Sequence, residues 1–413
     1  MITSFIAKRM FQNQKNKQLV SKPSMFIAMW GVAIGLLVML LALFIVMGFK
    51  AQIRATIAGF GAPLQVANFD ANRSFETTPI YVNDSLRSQL QQIEGVTTVQ
   101  RYSLKPGIIK TKEDFQGIVF KGVGKAYDVT YLTKHLREGR LPHFSDNKAS
   151  NEVLISSRIA NDLHLACGDK INTYYVGSDI RARRFTVTGI YATNFSEFDK
   201  LFILGDIYTA TRLNKWKANQ VTGVELFVAD MEQLPVVATA LSDKIDGRED
   251  PYGSTYYTQT LYDLYPQLFA WLDLLDNNVV IILILMMGVS GFTMVSGLLI
   301  LILERTQMIG VLKALGATDW FIQRIFLEFS VYLITRGLLI GNFLALLFYF
   351  VQSRFHLLSL DPSVYYVDSV PLLFDAGLWL LINLIVFVVT VSILVAPSFL
   401  IAKIRPATSI RFE

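Results

Sequence analysis

Four apolar runs, each long enough to cross a hydrocarbon core, set the terms on which this chain can fold. About 20 helical residues span a bilayer core, and such runs occupy residues 25–48, 279–303, 319–351 and 377–402. The first, "MFIAMWGVAIGLLVMLLALFIVM", sits where a signal peptide would. It exceeds the usual apolar length, and no small-residue cleavage site precedes "GFKAQIR", so it reads as an uncleaved anchor. Composition agrees: 17% of residues are charged, against about a quarter in soluble domains. The chain is 52% hydrophobic, with a mean hydropathy of +0.41.

Residues 49–278 have ordinary soluble character. "GIVFKGV", "NEVLIS", "KINTYYV", "RRFTVTGIY" and "GVELFVA" are candidate strands, rich in β-branched and aromatic residues. "DSLRSQLQQIEGV" is a candidate capped helix ending at Gly95. This is an α+β pattern with enough residues for its own core. Spacing divides it into two lobes, 66–125 with 225–250 and 137–222. The expected fold class is an α-helical membrane protein with four transmembrane helices and a large α+β domain inserted between helices 1 and 2. Orientation follows from Lys and Arg, which stay cytoplasmic near span ends. Lys8, Arg9, Lys15, Lys17 and Lys22 precede the first run, and Lys403, Arg405 and Arg411 follow the fourth. Segments 1–24, 304–318 and 403–413 are therefore expected in the cytoplasm. The domain and the 352–376 loop are expected on the opposite face.

Between the second and third runs lies "LILERTQMIGVLKALGATDWF". On a helical wheel Met308, Val311, Leu312 and Leu315 share one face, with Thr306, Gly310, Lys313 and Ala314 opposite. The spacing predicts a short helix along the cytoplasmic surface, apolar side to the lipid or bundle and small side outward, with a Gly316 C-terminal cap and a Thr318 cap on the next helix. A bare amphipathic connector is the competing reading. Catalytic chemistry finds no support: His135, His143, His164 and His356 are scattered, and Cys167 stands alone. The chain reads as a non-enzyme with no cofactor of its own, no metal site and no nucleic-acid partner.

The segment "ERTQMIGVLKALGATDWFIQRIFL" resembles the link between the second and third spans in ABC permeases of the MacB- and FtsX-like superfamily. "VMGFKAQIRATIAGFGAPLQV", "LREGRLP", "NEVLISSRIANDLHLACGDKI", "RRFTVTGIYATNFSEFD", "LDPSVYYVDSVPL" and "RPATSIRFE" extend the resemblance over nearly the whole chain. Together they resemble the lipoprotein-releasing (LolC/LolE-type) branch. The resemblance implies a MacB-like periplasmic core domain in a bacterial inner-membrane protein. It also implies that Glu304, Arg305, Gly310, Leu312, Lys313, Ala314, Gly316 and Ala317 couple to a cytosolic ABC ATPase dimer. ATP and Mg would sit on that partner, since no G-x-x-x-x-G-K-[ST] occurs here and "GVGKAYD" lacks both the first glycine and the hydroxyl. A second permease copy or a sister permease completes the expected assembly, in contact with membrane lipids.

What the resemblance implies further is extraction of lipoproteins and delivery to a periplasmic carrier. Each buried methylene is worth about 0.8 kcal/mol, so three acyl chains need a receiving cavity. Expected lateral openings are lined by Met39, Leu43, Phe44 and Met47 of the first span and Met286, Val289 and Phe292 of the second. Ordinary packing or lipid contact is the competing reading for each. Gly288, Ser290, Gly291, Ser296 and Gly297 permit close helix approach or a kink. Arg336 is expected to snorkel or pair, and Asn342 and Asn383 to bond between helices. In the family one subunit extends a hairpin to catch the carrier; here the matching place allows only a tight turn around Gly177 to Ile180, with Gly177, Ser178, Asp179 and Arg181 as the carrier contacts the resemblance implies. The rival functions are an FtsX-like permease acting on cell-wall hydrolases and a MacB-like exporter of small molecules or peptides.

Overall fold

The computed structural model describes residues 3, 21–70, 75–76, 78–112, 114–177, 179–193, 195–361 and 365–399, without the side chains of 21–24. Most of the two terminal segments expected in the cytoplasm, 1–24 and 403–413, lies outside the described residues. Four long helices cover Ser21–Gly61, Pro266–Glu304, Asp319–Phe355 and Ala376–Ser398. The first outruns its apolar stretch because Ile53, Ile57 and Phe60, at i, i+4 and i+7, keep one buried face going. The second begins thirteen residues before 279 in the same way, with Phe269, Leu272 and Val279 buried behind Pro266. All four are long and apolar enough to cross a membrane, yet only 22–44% of each apolar stretch is buried within the chain. So much bare hydrocarbon-like surface requires an apolar surrounding.

The chain divides into two compact units: Met1–Ala51 with Trp271–Ser359 and Ser369–Glu413, and Gln52–Ala270 with Leu360–Asp368. In the first unit, glycines set how closely the helices pack. A Cβ on Gly31 would reach Thr293 at 2.5 Å, and one on Gly35 would overlap the Ser290 hydroxyl, so the first and second helices approach face to face. On its other side the first helix receives Gly337 and Gly341 of the third. A Cβ there would come within 2.9 Å of the Met29 carbonyl and 2.7 Å of the Ala33 carbonyl. Gly291 faces Ile393 of the fourth helix, whereas a Cβ on Gly288 would meet nothing within 4 Å among the described residues. An ion pair joins Lys50 to Asp276.

Polar side chains pin the rest of this unit. Asn342 donates to Asn383 Oδ1 at 2.6 Å, Asn383 returns a bond to Asn342 Oδ1 at 3.1 Å, and the Trp379 indole donates to the same oxygen at 2.7 Å. The two asparagines thus bond between the third and fourth helices as the sequence predicts. Gln352 is 2% exposed and accepts from the Leu358 amide while donating to the Leu358 and Val370 carbonyls, stapling the loop ends to the third helix. Arg336 lies on the exposed side of the third helix. Glu328 takes its bonds from Arg324 and Thr3, both at 3.0 Å.

The second unit is α+β. Its strands are β1 (Leu64–Asn68), β2 (Ile80–Tyr81), β3 (Val96–Lys110), β4 (Phe115–Val123), β5 (Leu136–Gly139) and β6 (Glu152–Ser156). They continue with β7 (Lys170–Tyr175), β8 (Arg181–Tyr191), β9 (Phe202–Asp206), β10 (Gln220–Val221), β11 (Gly223–Val228) and β12 (Tyr256–Thr260). The main sheet runs β12-β1-β11-β3-β4-β9-β6-β8-β5, and β7 pairs with both β3 and β8. The circuit β3-β4-β9-β6-β8-β7 is therefore closed. Its interior holds Ile118, Phe120, Tyr175, Phe185 and Val187, with the Phe120 and Phe185 rings stacked at 5.4 Å. The two expected lobes prove to be one continuous sheet: β3 is fifteen residues long and serves both the open portion and the closed one. A strand of that length has hydrogen-bonding edges to spare for three partners, which spacing along the chain does not reveal.

Candidate functional site

The segment between the second and third long helices forms a short helix, Thr306–Ala314. Its C-terminus closes by a Schellman arrangement, with the Gly316 amide on the Lys313 carbonyl and the Ala317 amide on the Leu312 carbonyl, both at 3.0 Å. Gly316 adopts φ +90°, where a side chain would be strained. The Thr318 hydroxyl then accepts from the Phe321 amide at 3.3 Å and starts the third helix.

The face this helix presents differs from the wheel. Ile309 is fully buried and Gly310 is buried beside it, while Met308 and Leu312 are half-buried against the same cluster. That cluster gathers Leu298, Leu301 and Ile302 of the second helix with Ile322, Ile325 and Phe326 of the third. Val311 and Leu315 are exposed, at 47% and 79%, beside exposed Gln307 and Ala314. Gly310 therefore packs inward, against the expectation, while Val311 and Leu315 stay clear of the helix cluster. The cause is Ile309, seven residues after Ile302, which rotates the buried arc by about one residue, or 100°. Lys313, expected outward, folds onto Asp319 at 2.8 Å with only 10% of its side chain exposed. Of the other expected coupling residues, Glu304 and Arg305 are half-buried and Ala317 packs against the cluster. The open face is completed by Leu303 and Trp320.

The residues expected to line lateral openings separate into three groups. Met39 and Phe44 are fully buried in a cluster with Leu36, Leu40, Ala345 and Val386, so they line no opening within this chain. Phe44 also contacts the Tyr349 and Phe374 rings at 5.8 and 5.6 Å. Leu43 and Met286 pack half-buried against that cluster, and Met47 is half-buried. Val289 and Phe292 are open, at 54% and 75% exposed, on the same side of the second helix as Leu285 and Gly288.

In the α+β unit the connection between β7 and β8 is five residues long, 176–180. Asp179 pairs with Lys215 at 2.9 Å, and that ammonium holds its carboxyl below the usual range. Arg181 donates to the Arg212 carbonyl at 2.7 Å. Both are occupied in holding the turn, Gly177 is exposed, and Ser178 lies outside the described residues. What the turn displays is Val176 and Ile180, 58% and 74% exposed. Beside it, Lys110, Asn172 and Arg184 stand in one row across β3, β7 and β8. They border a cleft of about 670 Å³ that also includes Lys112 and Lys170.

Comparison with known proteins follows this division. A family model described as MacB-like periplasmic core domain matches residues 25–244, more than half of the chain, and one described as FtsX-like permease C-terminal matches 280–406. The chain belongs to the MacB- and FtsX-like ABC permease family. The permease is similar to the lipoprotein-releasing system transmembrane protein LolC of Xylella fastidiosa, 23% identical, with 93% of this chain and 92% of that one covered. It is also similar to LolE of Haemophilus influenzae, 24% identical, with 98% and 97% covered. Among solved structures, the periplasmic region of MacB from Actinobacillus actinomycetemcomitans is 13% identical, covering 52% of this chain and 95% of that one, with a TM-score of 0.34. The permease is a membrane protein with a periplasmic domain. Sequence reasoning missed Ile309, Val176 and Ile180. The two apolar residues flanking "GSD" would have found the last two; the first has no such signal, since the same seven-residue step from buried Leu301 lands on Met308.

Proposed function

We propose that the permease is the transmembrane subunit of an ABC transporter that extracts lipoproteins from the outer leaflet of the inner membrane. One observation carries this reading: similarity to lipoprotein-releasing permeases runs through both units, over 93% or more of the chain, rather than through one of them. In this reading the domain is inserted between the first and second spans on the periplasmic side. The termini and the short helix lie in the cytoplasm. A separate ATPase dimer binds the outward face of the short helix through Val311 and Leu315, with Ala314 allowing close approach. Glu304, Arg305 and Lys313 shape that face from within, and Ile309 passes its movement to the second and third spans. Two permeases, identical or sister chains, enclose the cargo against the side of the second span that carries Val289 and Phe292. A periplasmic carrier receives the acyl chains at the turn that displays Val176 and Ile180.

The test is affinity purification from the native membrane of the intact permease and of Leu315→Asp. An ATPase subunit should accompany the first and be depleted at least about tenfold with the second, the size of a lost apolar anchor. Equal recovery with both would remove the role given to this helix. Intact lipoprotein sorting with blocked septation on depletion would instead assign the FtsX-like role.

A further inference from the structure

Two of the candidate strands each carry one charge inside an otherwise apolar stretch: Lys121 in "GIVFKGV" and Glu225 in "GVELFVA". Neither belongs to the site described above, and both are interior. Their side chains are 4% and 1% exposed, and the ammonium meets Glu225 Oε1 at 2.7 Å. β4 is buried on both faces: Ile118 and Phe120 enter the closed circuit, so Lys121 points to the other side. There Lys121 donates to the Phe60 carbonyl at 3.0 Å, in the last turn of the first long helix. A cation at that position complements the negative end of the helix.

The surroundings hold this contact in place. Glu225 accepts a second bond from the Tyr127 hydroxyl at 2.7 Å, and the Tyr102 hydroxyl donates to Gln65 Oε1 at 2.8 Å. The Gln65 amide donates in turn to the Gly61 carbonyl at 2.5 Å. Lys121 lies 5.0 Å from the Phe60 ring centre, 5.6 Å from Tyr102 and 5.7 Å from Tyr127. Phe60 stacks on Phe198 at 4.5 Å and meets Phe202 edge-on at 5.5 Å. Burial, with Glu225 nearby, holds the Tyr102 and Tyr127 phenols well above their ordinary range, so both stay donors. A cleft of about 110 Å³ borders the group. Its charged floor is satisfied from within the chain and calls for no ligand.

A buried ion pair is a poor stabiliser: desolvation offsets most of its attraction, and an apolar pair of the same volume often folds as well. In some proteins such a pair is retained for conformational specificity rather than for net stability. Here the geometry ties three elements: β4 through Lys121, β11 through Glu225, and the end of the first long helix through the Phe60 carbonyl. We propose that Lys121 is a positioning residue that transmits movement of the first long helix to β4 and β11. This rests on the transporter reading, in which a partner ATPase tilts the spans.

The experiment compares the complete permease–ATPase complex in nanodiscs, without nucleotide and trapped with ATP and vanadate, by amide hydrogen exchange over β4 and β11. Wild type should show a nucleotide-dependent change in those strands. Lys121→Met should lose it, and Lys121→Arg should restore most of it. Because the single change strands a buried carboxylate, the decisive variant is Lys121→Met with Glu225→Gln, which removes both charges at nearly constant volume. It should recover the wild-type Tm yet keep the exchange response reduced about tenfold or more, the range of a coupling free energy. A double variant that responds like wild type overturns the proposal, as does a wild type with no response in these strands. Failure of the wild-type complex to release a triacylated lipoprotein, with the exchange response intact, would count against the transporter reading alone.

Discussion

At Gly48 the first long helix meets the backbone of Pro371 and Leu372 so closely that a methyl group has no room. Backbone cannot rotate aside as a serine hydroxyl can, so Gly48→Ala should cost about 1–3 kcal/mol, the usual range for overpacking. Gly288→Ala, which meets open space, is the matched control. Thermal unfolding in detergent should separate the two, and equal midpoints would refute the close approach. A second residue-scale expectation concerns acid. Hydrogen bonds from Arg140, at 2.9 and 2.5 Å, and from the His143 amide bring Glu152 from an ordinary 4.5 to about 2. A carboxyl whose folded value is depressed stabilises the native state above its unfolded value and loses that contribution as pH falls through the folded one. The stabilisation is complete above about pH 4.5 and should fade toward pH 2. Glu152→Gln should flatten this acid limb. Because Arg140 is more than half exposed, about 1 M salt should flatten much of it too. An unchanged limb in both cases would show that other carboxylates govern acid unfolding.

At the scale of elements, the loop between the third and fourth helices depends on Gln352. Replacing it by Leu leaves the Leu358 amide and two carbonyls without their partner, at about 1–3 kcal/mol for each group that finds no water. Amide exchange over 358–370 should accelerate while the third helix keeps its protection; uniform protection in both would show that the staple is dispensable. Much at this scale was legible beforehand. Gly316 and Thr318 carry their own signals, positive φ and a hydroxyl cap, and both caps form where residue type demands. Asn342 and Asn383 were legible because an amide in an apolar run must find another polar group. The direction of the short helix was not. Met308, Val311, Leu312 and Leu315 make a plausible apolar stripe on a wheel, but a wheel contains no neighbours. Only the cluster around Ile309 determines which arc of this short helix turns inward.

For the whole molecule, the transporter reading places the α+β domain outside the cytoplasmic membrane. Cys167, the one cysteine, is exposed in that domain. A membrane-impermeant maleimide should therefore label intact spheroplasts, and Cys167→Ser should abolish the signal. Partial burial, with Glu138 nearby, raises the thiol above its ordinary value, so labelling should quicken as pH rises. Labelling only after lysis would invert the orientation drawn from Lys and Arg.

The sequence by itself determined the membrane class of this protein, the number of long apolar helices, the α+β character of the segment between the first two, and the polar positions that had to find partners. These follow from composition and from periods of two and 3.6 residues, which are properties of neighbours along the chain. Tertiary structure alone decided that the two expected lobes share one sheet, that Met39 and Phe44 are interior, and that Ile309 rotates the short helix. It also brought Lys121 of β4, Glu225 of β11 and the Phe60 carbonyl into contact. Each of these is a contact between distant segments, chosen by how surfaces fill space together, and no local pattern carries that information.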